Sequence, residues 1–294
     1  MRNFYPVVKK SNPKQSKRND IPATIVMDEL KILTWNVWFE TSVKFSTRMR
    51  HILKTTVNIF PDIACYQEVI PEFAAMVRSD PVITEHYQVS PFNASSYGVL
   101  TIVKNIHRPV FEIFELPTEM DRELLRTTCI INGNKFVVGN VHLESLNYQK
   151  VRERQLEICN DMLSEFEMAA LVGDFNFCSE RNFDDIADRP LHNECLSRTI
   201  SDFVDTWPFL AQRGGVSVLP SIGLAPPRPL PSRTLIDTID PPDAMSTPDK
   251  GSLRRRAQVD IDGCTFDSTV NGMLTKYERM RYDRIMVKLG ACVI

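Results

Sequence analysis

The sequence predicts an α/β protein built as a two-sheet β-sandwich flanked by helices. Short apolar, β-prone runs occur along most of the chain, and only two long segments have apolar residues at helical spacing. Asn132-Gly133 lies between two of the runs and is a strong signal for a type I′ β-hairpin. The strand-like runs are residues 31–35, 63–66, 97–103, 110–114, 126–131, 135–141, 169–172 and 284–287.

The two segments with helical spacing are residues 44–60 and 148–167. Pro61 directly follows the first segment and predicts its end, because proline cannot continue a helix. The residues that line one face are Met49, Ile52, Leu53, Val57 and Phe60 in the first segment, and Val151, Gln155, Ile158, Cys159, Met162, Leu163 and Phe166 in the second.

Composition excludes several classes of protein. No apolar run among the 294 residues approaches the roughly 20 needed to cross a bilayer, so we expect no membrane association. The 7 cysteines form no CxxC pair, which favours a reducing compartment over a disulfide framework or a zinc site. The formal net charge of −2 argues against a broad grip on a long duplex, and leaves a nucleic-acid end or a small phosphate ester as the ligand.

The chain divides into a tail and one folded domain. Residues 1–28 are basic and lack apolar periodicity, so we predict a disordered tail. Its clusters Lys9-Lys10 and Lys17-Arg18 leave a nuclear import signal as an alternative to a solvated tail. Residues 29–294 form the domain, and its segment 212–258 holds eight of the 19 prolines, which predicts a flexible insertion.

Polar side chains follow four of the predicted strands, where a rigid sheet can direct them into one crevice. Asn36, Glu68, His142 and Asp174 each come at such a strand end. Asp174 is able to accept a proton from water, and Glu68 suits Mg²⁺, which prefers carboxylate oxygen and needs only one or two carboxylates. A structural salt bridge for Glu68 and a strand-end cap for Asn36 remain alternatives.

Three further residues extend this set. Asn176 follows Asp174 closely, and its amide is able to donate to an oxyanion, although an Asp-x-Asn turn is an alternative. Ser145 would join His142 on a phosphate oxygen, and a structural histidine is the alternative there. Asp283 precedes the last predicted strand, where it would orient a histidine or form a salt bridge with a neighbouring arginine.

The order of these motifs resembles the exonuclease–endonuclease–phosphatase superfamily from about residue 31 to about 290. The motifs are Trp35-Asn36, Gln67-Glu68-Val69, His142 to Ser145, Gly173 to Asn176 and Tyr282 to Ile285. Within the superfamily, the sequence is most similar to the 5′-tyrosyl-DNA phosphodiesterases. That likeness rests on Asn140 to Ser145, Arg152 to Leu156, Asp205 to Leu210, Thr265 to Asp267 and Arg281 to Ile285.

The resemblance implies a four-layer sandwich and a catalytic domain at residues 29–294. It implies Mg²⁺-dependent hydrolysis, with Mn²⁺ as a substitute, of the bond between a topoisomerase II tyrosine and a DNA 5′ end, as a step of DNA repair. The implied partners are tyrosyl-bearing DNA 5′ ends and the topoisomerase II remnant, and the implied location is the nucleus, with the cytoplasm in addition.

The resemblance also implies a role for each motif residue. Glu68 would hold the metal, and Asp174 would activate the attacking water. Asn36 and Asn176 would position the water and the phosphate, and His142 and Ser145 would bind phosphate oxygens. Asp283 would orient a histidine, and Phe266 would stack on a base.

The sequence departs from the family pattern at two places. Trp38 stands where many relatives carry an acid that helps to hold the metal. The family also carries a Ser-Asp-His motif beyond its last strand, whereas this sequence contains no Asp-His pair and stops at Ile294. We therefore expect a C-terminally incomplete fold with its last strand at a sheet edge, from a truncated or mis-spliced sequence or a protein of greatly reduced activity.

Two other functions remain open from the sequence. One is a different superfamily substrate, which would make the protein an abasic endonuclease, a deadenylase or a phosphoinositide phosphatase. The other is a non-catalytic protein that keeps the fold and binds DNA ends.

Overall fold

The computed structural model describes residues 9–10, 27–94, 96–179, 182, 190–212, 265–267 and 279–289. The chain divides into two compact units, residues 1–207 with 264–294, and residues 208–263. Only residues 208–212 of the second unit are described, so the sheets and the candidate site described here belong to the first unit. The Pro-rich insertion and most of the predicted disordered tail lie outside the described residues and stay predictions, but Lys9 and Lys10 of that tail form a strand, so disorder was wrong for these two residues.

Two mixed sheets form the body of the first unit. The four-stranded sheet has the order β2 (Ile32–Asn36), β3 (Ile63–Val69), β5 (Gly98–Lys104) and β4 (Tyr87–Val89). The seven-stranded sheet has the order β1 (Lys9–Lys10), β6 (Val110–Glu115), β7 (Glu123–Ile131), β8 (Asn134–His142), β9 (Ala169–Asp174), β13 (Asp283–Lys288) and β10 (Val204–Asp205). A separate two-stranded ribbon pairs β11 (Phe266–Asp267) with β12 (Arg279–Met280).

The described residues form six α-helices. Their bounds are α1 (Phe45–Ile59), α2 (Pro71–Ser79), α3 (Pro81–His86), α4 (Gln149–Leu163), α5 (Cys195–Thr199) and α6 (Thr206–Gln212). No helix of the described residues is long and apolar enough to cross a membrane.

Three apolar clusters show the layering of the unit. One cluster joins residues of β3 and β5, such as Cys65 and Val103, to residues of the other sheet such as Val138, so it fills the space between the sheets. A second packs α1 and α2 against the four-stranded sheet, and a third packs α4 against the seven-stranded sheet. The order helix, sheet, sheet, helix confirms the predicted four-layer sandwich.

The predicted strands and both predicted helices are present, with corrected ends. The helix α1 ends at Ile59, because Phe60 adopts a left-handed conformation (φ 50°) and lies exposed outside it. The helix α4 ends at Leu163, although Phe166 beyond it still packs on the same core. Asn132 and Gly133 have φ values of 49° and 82°, as a type I′ turn requires.

The last strand is not at a sheet edge, and that expectation was wrong. In the seven-stranded sheet β13 lies between β9 and β10, with Val204 opposite Val287. The two-residue strand β10 has no apolar run around it in the sequence, so the alternation pattern gives no signal for it.

A buried polar pair joins the two sheets close to their carboxyl-end crevice. Gln67 on β3 donates from Nε2 to Asn140 Oδ1 on β8 at 2.8 Å. Asn140 Nδ2 donates in turn to the backbone carbonyls of Tyr66 at 3.2 Å and Leu100 at 3.1 Å. These carbonyls lie where the pairing of β3 with β5 shifts register, so Asn140 satisfies acceptors at an irregularity of the sheet.

We predict that Asn140→Ala lowers the free energy of unfolding by about 2–4 kcal/mol, because it leaves several buried polar groups unpaired. Urea denaturation measures this. Asn58→Ala, at an exposed position of α1, is the matched control and is expected to change stability by less than about 0.5 kcal/mol. Equal small effects of both variants would contradict a bridging role for Asn140.

Candidate active site

Four of the predicted site residues meet at one end of the two sheets. Asn36 ends β2, Glu68 lies near the end of β3, and His142 and Asp174 end the parallel strands β8 and β9. The register sets His142 opposite Asp174, and Asp174 opposite Asp283 on β13. The sandwich therefore brings carboxylates from both sheets to one crevice, as the strand-end argument predicts.

Glu68 reaches the crevice through a β-bulge. The pairing of β3 with β5 shifts between Tyr66 and Val69, and Glu68 adopts a left-handed conformation with φ 56°. A left-handed conformation is costly for a residue with a long side chain, on the order of 1–3 kcal/mol, and such strain concentrates at functional sites. The sequence gives no sign of this bulge.

The amide of Asn36 connects the carboxylates of the two sheets. Its Nδ2 donates to Glu68 Oε1 and to Asp174 Oδ2, each at 2.9 Å. Its Oδ1 accepts the backbone N–H of Trp38 at 3.0 Å, which fixes the orientation of the amide. Asn36 is therefore a bridge in the centre of the site, rather than only the strand-end cap considered as its alternative.

Gly173 allows β9 to approach β8 directly before Asp174. It has φ +138°, and an added Cβ would lie 2.0 Å from the carbonyl oxygen of Val141. No other residue type fits this position without displacing the strand. The glycine of the Gly173-Asp174 motif thus sets the position of the carboxylate that follows it.

Arg122 fixes the tautomer of His142. Arg122 Nη1 lies 3.0 Å from His142 Nδ1, and a guanidinium is only a donor, so Nδ1 must be the unprotonated acceptor. The ring proton is then on Nε2, which lies 3.9 Å from both Glu68 Oε1 and Asp174 Oδ2. Burial, aided by the charge of Arg122, holds the pKa of His142 well below its usual range, so the imidazole is neutral.

The carboxyls of the crevice resist ionisation. Burial raises the pKa of Glu68 and of Asp174, even though Asn36 donates to both. Burial and the nearby charge of Asp174 raise the pKa of Asp283 to about 7. Burial is the largest cause for all three carboxyls, so the crevice disfavours their ionised forms unless a cation balances them.

These residues fit a divalent cation that prefers oxygen ligands. Glu68, Asp174 and Asp283 supply hard oxygens, and Asp283 Oδ1 is buried without a hydrogen-bond partner among the described atoms. The described residues contain no group of three or more His, Cys, Asp or Glu placed to enclose a metal. Mg²⁺ does not require such an enclosure, since it typically takes one or two carboxylates and keeps water and phosphate as its other ligands.

Two predicted residues have other contacts. Asn176 Nδ2 donates to the carbonyl of Leu143 at 2.9 Å, and its backbone N–H donates to Asp174 Oδ1 at 2.8 Å, so it braces the loops beneath Asp174. The hydroxyl of Ser145 contacts Met120 Sδ at 3.0 Å, and no hydrogen bond among the described residues joins it to the central four. Phe266 lies in β11, and its side chain is outside the described structure.

Asp283 is not paired with a neighbouring arginine, so that alternative was wrong. Arg281 and Arg284 both bind Asp205 instead, at 3.0 Å through Arg281 Nη1 and 2.9 Å through Arg284 Nη1. Arg284 also packs over the ring of Phe177 at 4.8 Å and donates to its carbonyl. The two arginines flank Asp283 in sequence and fix the start of β13, and no salt bridge among the described residues reaches the Asp283 carboxyl.

Arg122 and Tyr97 are parts of the site that no sequence motif contained, and Asn140 was quoted only for the family likeness. Arg122 directly precedes β7, and Tyr97 directly precedes β5 and lies with its ring 6.2 Å from that of His142. A single arginine or tyrosine beside a strand is too common to signal a function. Asn140 does break the apolar run before His142, and a buried amide in that run was the one available signal.

In sequence, the chain is similar to proteins named tyrosyl-DNA phosphodiesterase 2. No family model matches the chain. Tyrosyl-DNA phosphodiesterase 2 of Gallus gallus is 29% identical over 152 residues, which are 49% of this chain and 40% of that protein. The Rattus norvegicus protein of the same name is 28% identical over 142 residues, 47% of this chain and 36% of that protein. The chain thus matches these curated relatives over less than half of their length.

Solved structures show the fold. A truncated Caenorhabditis elegans tyrosyl-DNA phosphodiesterase 2 superposes with a TM-score of 0.62 at 18% identity, over 88% of this chain and 84% of that one. The Danio rerio protein, solved with a single-strand DNA product, superposes with a TM-score of 0.62 at 19% identity, over 90% and 86%. The resemblance predicted from the motifs is confirmed, and the chain has the fold of tyrosyl-DNA phosphodiesterase 2.

We predict that Arg122→Met raises the pKa of His142, because it removes a positive charge and the hydrogen bond that holds Nδ1 unprotonated. Nitrogen NMR of the imidazole across pH reports both the tautomer and the pKa. The wild-type protein should show the Nε2–H tautomer and stay neutral at pH values where an ordinary histidine is protonated. A wild-type Nδ1–H tautomer would contradict the assignment.

We predict that Asp283→Asn stabilises the protein at pH 8 by roughly 1–2 kcal/mol. The pKa of Asp283 in the fold, about 7, is above its ordinary value of 3.8, so the folded state holds a proton that the unfolded state has lost. Wild-type stability from this group therefore falls as pH rises from about 4 to about 7. Denaturation of both proteins in EDTA should show the difference growing across that window, and a difference independent of pH would contradict it.

Proposed function

We propose that the chain, which has the fold of tyrosyl-DNA phosphodiesterase 2, is a metal-dependent phosphodiesterase that hydrolyses the bond between a tyrosine and a DNA 5′ phosphate. The observation that carries the proposal is the bridged carboxylate pair. Glu68 and Asp174 share the Asn36 amide at 2.9 Å each, and His142 Nε2 faces both at 3.9 Å. This arrangement suits phosphoryl chemistry, which needs positioned water, a base and donors for phosphate oxygens.

Asp174 is the residue for activating water. Two donors hold its carboxylate, the Asn36 amide on Oδ2 and the Asn176 backbone N–H on Oδ1. Burial raises the pKa of its carboxyl, and a carboxylate with a raised pKa is a stronger general base. The ionised carboxylate accepts a proton from water while these donors keep its orientation.

His142 is the residue for binding a phosphate oxygen. Its neutral ring presents Nε2–H to the crevice, because Arg122 occupies Nδ1. A neutral donor binds a phosphate oxygen without delivering a proton to Asp174, whose carboxylate must stay ionised to act as a base. Ser145 would join His142 only after its hydroxyl leaves Met120.

Glu68 is the residue for the metal, with Mg²⁺ proposed and Mn²⁺ as a substitute. When bound, the ion neutralises charge on the phosphoryl group as a Lewis acid. Glu68 is held for this role by Asn36 Nδ2 on Oε1 and by the Phe39 N–H on Oε2, at 2.9 and 3.1 Å. The β-bulge and the left-handed backbone of Glu68 direct its carboxylate to the crevice.

The likeness to tyrosyl-DNA phosphodiesterase 2 supports the substrate. The Danio rerio structure holds a single-strand DNA product, which favours a DNA end for this chain as well. A tyrosine phenol, with a pKa near ~10, leaves more readily than an alcohol, so the crevice needs no strong acid for the leaving group. A topoisomerase II remnant as the tyrosine donor, base stacking by Phe266, a role in DNA repair and a nuclear location complete the proposal.

Cleavage of a 5′-phosphotyrosyl oligonucleotide tests the function. Wild-type protein with Mg²⁺ should release the 5′-phosphorylated strand, EDTA should abolish release, and Asp174→Asn should lower kcat by at least about 100-fold. Asp161→Asn, at an exposed position of α4, is the matched control and should leave the rate unchanged. An abasic duplex, poly(A) and an inositol phosphate are assayed beside the phosphotyrosyl oligonucleotide. Cleavage of one of them instead would show that the chain acts on a different superfamily substrate.

Two results would overturn the proposal. One is folded wild-type protein that cleaves none of these substrates with Mg²⁺ or Mn²⁺ at high enzyme concentration. The other is tight binding of DNA 5′ ends by wild type and Asp174→Asn alike without turnover, which would show a non-catalytic end-binding protein.

A further inference from the structure

Two adjacent aromatic rings lie exposed beside the carboxylates. Trp38 and Phe39 are in the loop of residues 37–44 between β2 and α1, and are 36% and 41% exposed. Isolated apolar side chains on a surface need no explanation. This pair differs, because the backbone of both residues is hydrogen-bonded to the site. The backbone N–H of Trp38 donates to Asn36 Oδ1 at 3.0 Å, and that of Phe39 donates to Glu68 Oε2 at 3.1 Å.

The loop is held in one conformation. Arg48 on α1 donates to the carbonyls of Val43 at 2.9 Å, Val37 at 2.9 Å and Trp38 at 3.0 Å, and also to that of Glu40. Its guanidinium lies 4.8 Å from the Trp38 ring. Trp38 has φ 59°, a costly conformation for a bulky residue, which these contacts maintain. Both rings are therefore preorganised.

The rings form a row that starts at the site. Phe39 stacks on Tyr97 with 4.7 Å between centroids and 8° between planes, and Tyr97 is in turn 6.2 Å from the ring of His142. Tyr97 covers one face of the Phe39 ring, and Phe39 is still 41% exposed. Tyr97 contacts both Phe39 and His142, so Phe39 is the ring of this row that lies farther from the proposed phosphate-binding residue.

We infer that Phe39, with Trp38 beside it, is a stacking subsite for a nucleobase of a single-stranded 5′ end, one or more nucleotides from the scissile phosphate. The inference rests on the proposed function. Bases stack singly on an aromatic face regardless of sequence, whereas two rings are too small a patch to hold a folded protein. A neutral base also avoids the repulsion that the surrounding carboxylates exert on phosphate.

Binding of 5′-phosphorylated single strands to Phe39→Leu tests the subsite, since leucine keeps the apolar volume and the backbone N–H but removes the ring. In EDTA, Phe39→Leu should lower the affinity about tenfold, and Phe39→Tyr should retain it. Strands with an abasic residue at the first, second or third position locate the base. At one of these positions, wild type and Phe39→Leu should bind the abasic strand equally. Ile106→Ala, at a residue that is 50% exposed shortly after β5, is the control and should bind as wild type does.

Equal affinity of wild type and Phe39→Leu for the intact strand would overturn the inference, as would the same tenfold loss with every abasic strand. If Phe39→Leu weakened the binding of a phosphotyrosyl peptide without DNA but did not weaken the binding of any DNA strand, the rings would bind a protein segment. That result would overturn the inference as well. Hydrolysis by wild-type protein decides the proposed function separately. If wild type hydrolyses the substrate and Phe39→Leu binds DNA strands as wild type does, only the subsite is rejected. If wild type shows no hydrolysis and Phe39→Leu loses affinity in a way that depends on the abasic position, only the catalytic proposal is rejected.

Discussion

The arrangement of the site depends on holding Glu68 and Asp174 together against their mutual repulsion. The carboxylates come from different sheets, and each would relax away from the other in a crevice that water does not fully screen. The Asn36 amide opposes this by donating to both at 2.9 Å. Because its own carbonyl is occupied by the Trp38 N–H, the amide cannot flip without losing three hydrogen bonds. The loop that carries the exposed rings and the bridge between the carboxylates are thus one unit.

The rest of the fold fixes the two strands that this bridge joins. Gln67 and Asn140 bind each other at 2.8 Å across the sandwich, directly beside the bulge that turns Glu68 to the crevice. On the other sheet, Gly173 lets β9 approach β8, and Asp205 gathers Arg281 and Arg284 on either side of Asp283. The Gln67–Asn140 pair is buried and polar, so it is specific in geometry as well as stabilising. The excess negative charge that remains is what makes a divalent cation the expected ligand.

The sequence predicts the sandwich and the central site because both follow from periodicity. Alternation and the Asn132-Gly133 turn place the strands, and polar residues at the ends of β2, β3, β8 and β9 must converge once the strands pair in one direction. What the sequence does not reveal depends on long-range contacts. The bulge at Glu68 leaves no local mark, β10 is too short for a pattern, and Arg122 finds His142 only through the folded sheet. Arg281 and Arg284 lie much closer to Asp283 than to Asp205 along the chain, yet both of them bind Asp205.

The most direct test of the site is paramagnetic broadening of the histidine NMR signals by Mn²⁺. The chain has 5 histidines, so His51, His86, His107 and His192 serve as internal references for His142. Substoichiometric Mn²⁺ should broaden the imidazole signals of His142 selectively in the wild-type protein, and Glu68→Gln should abolish that effect, since the ion then loses its main carboxylate. Selective broadening of another histidine, or an effect on His142 that persists in Glu68→Gln, would contradict the assignment of this crevice as the metal-dependent phosphoester site.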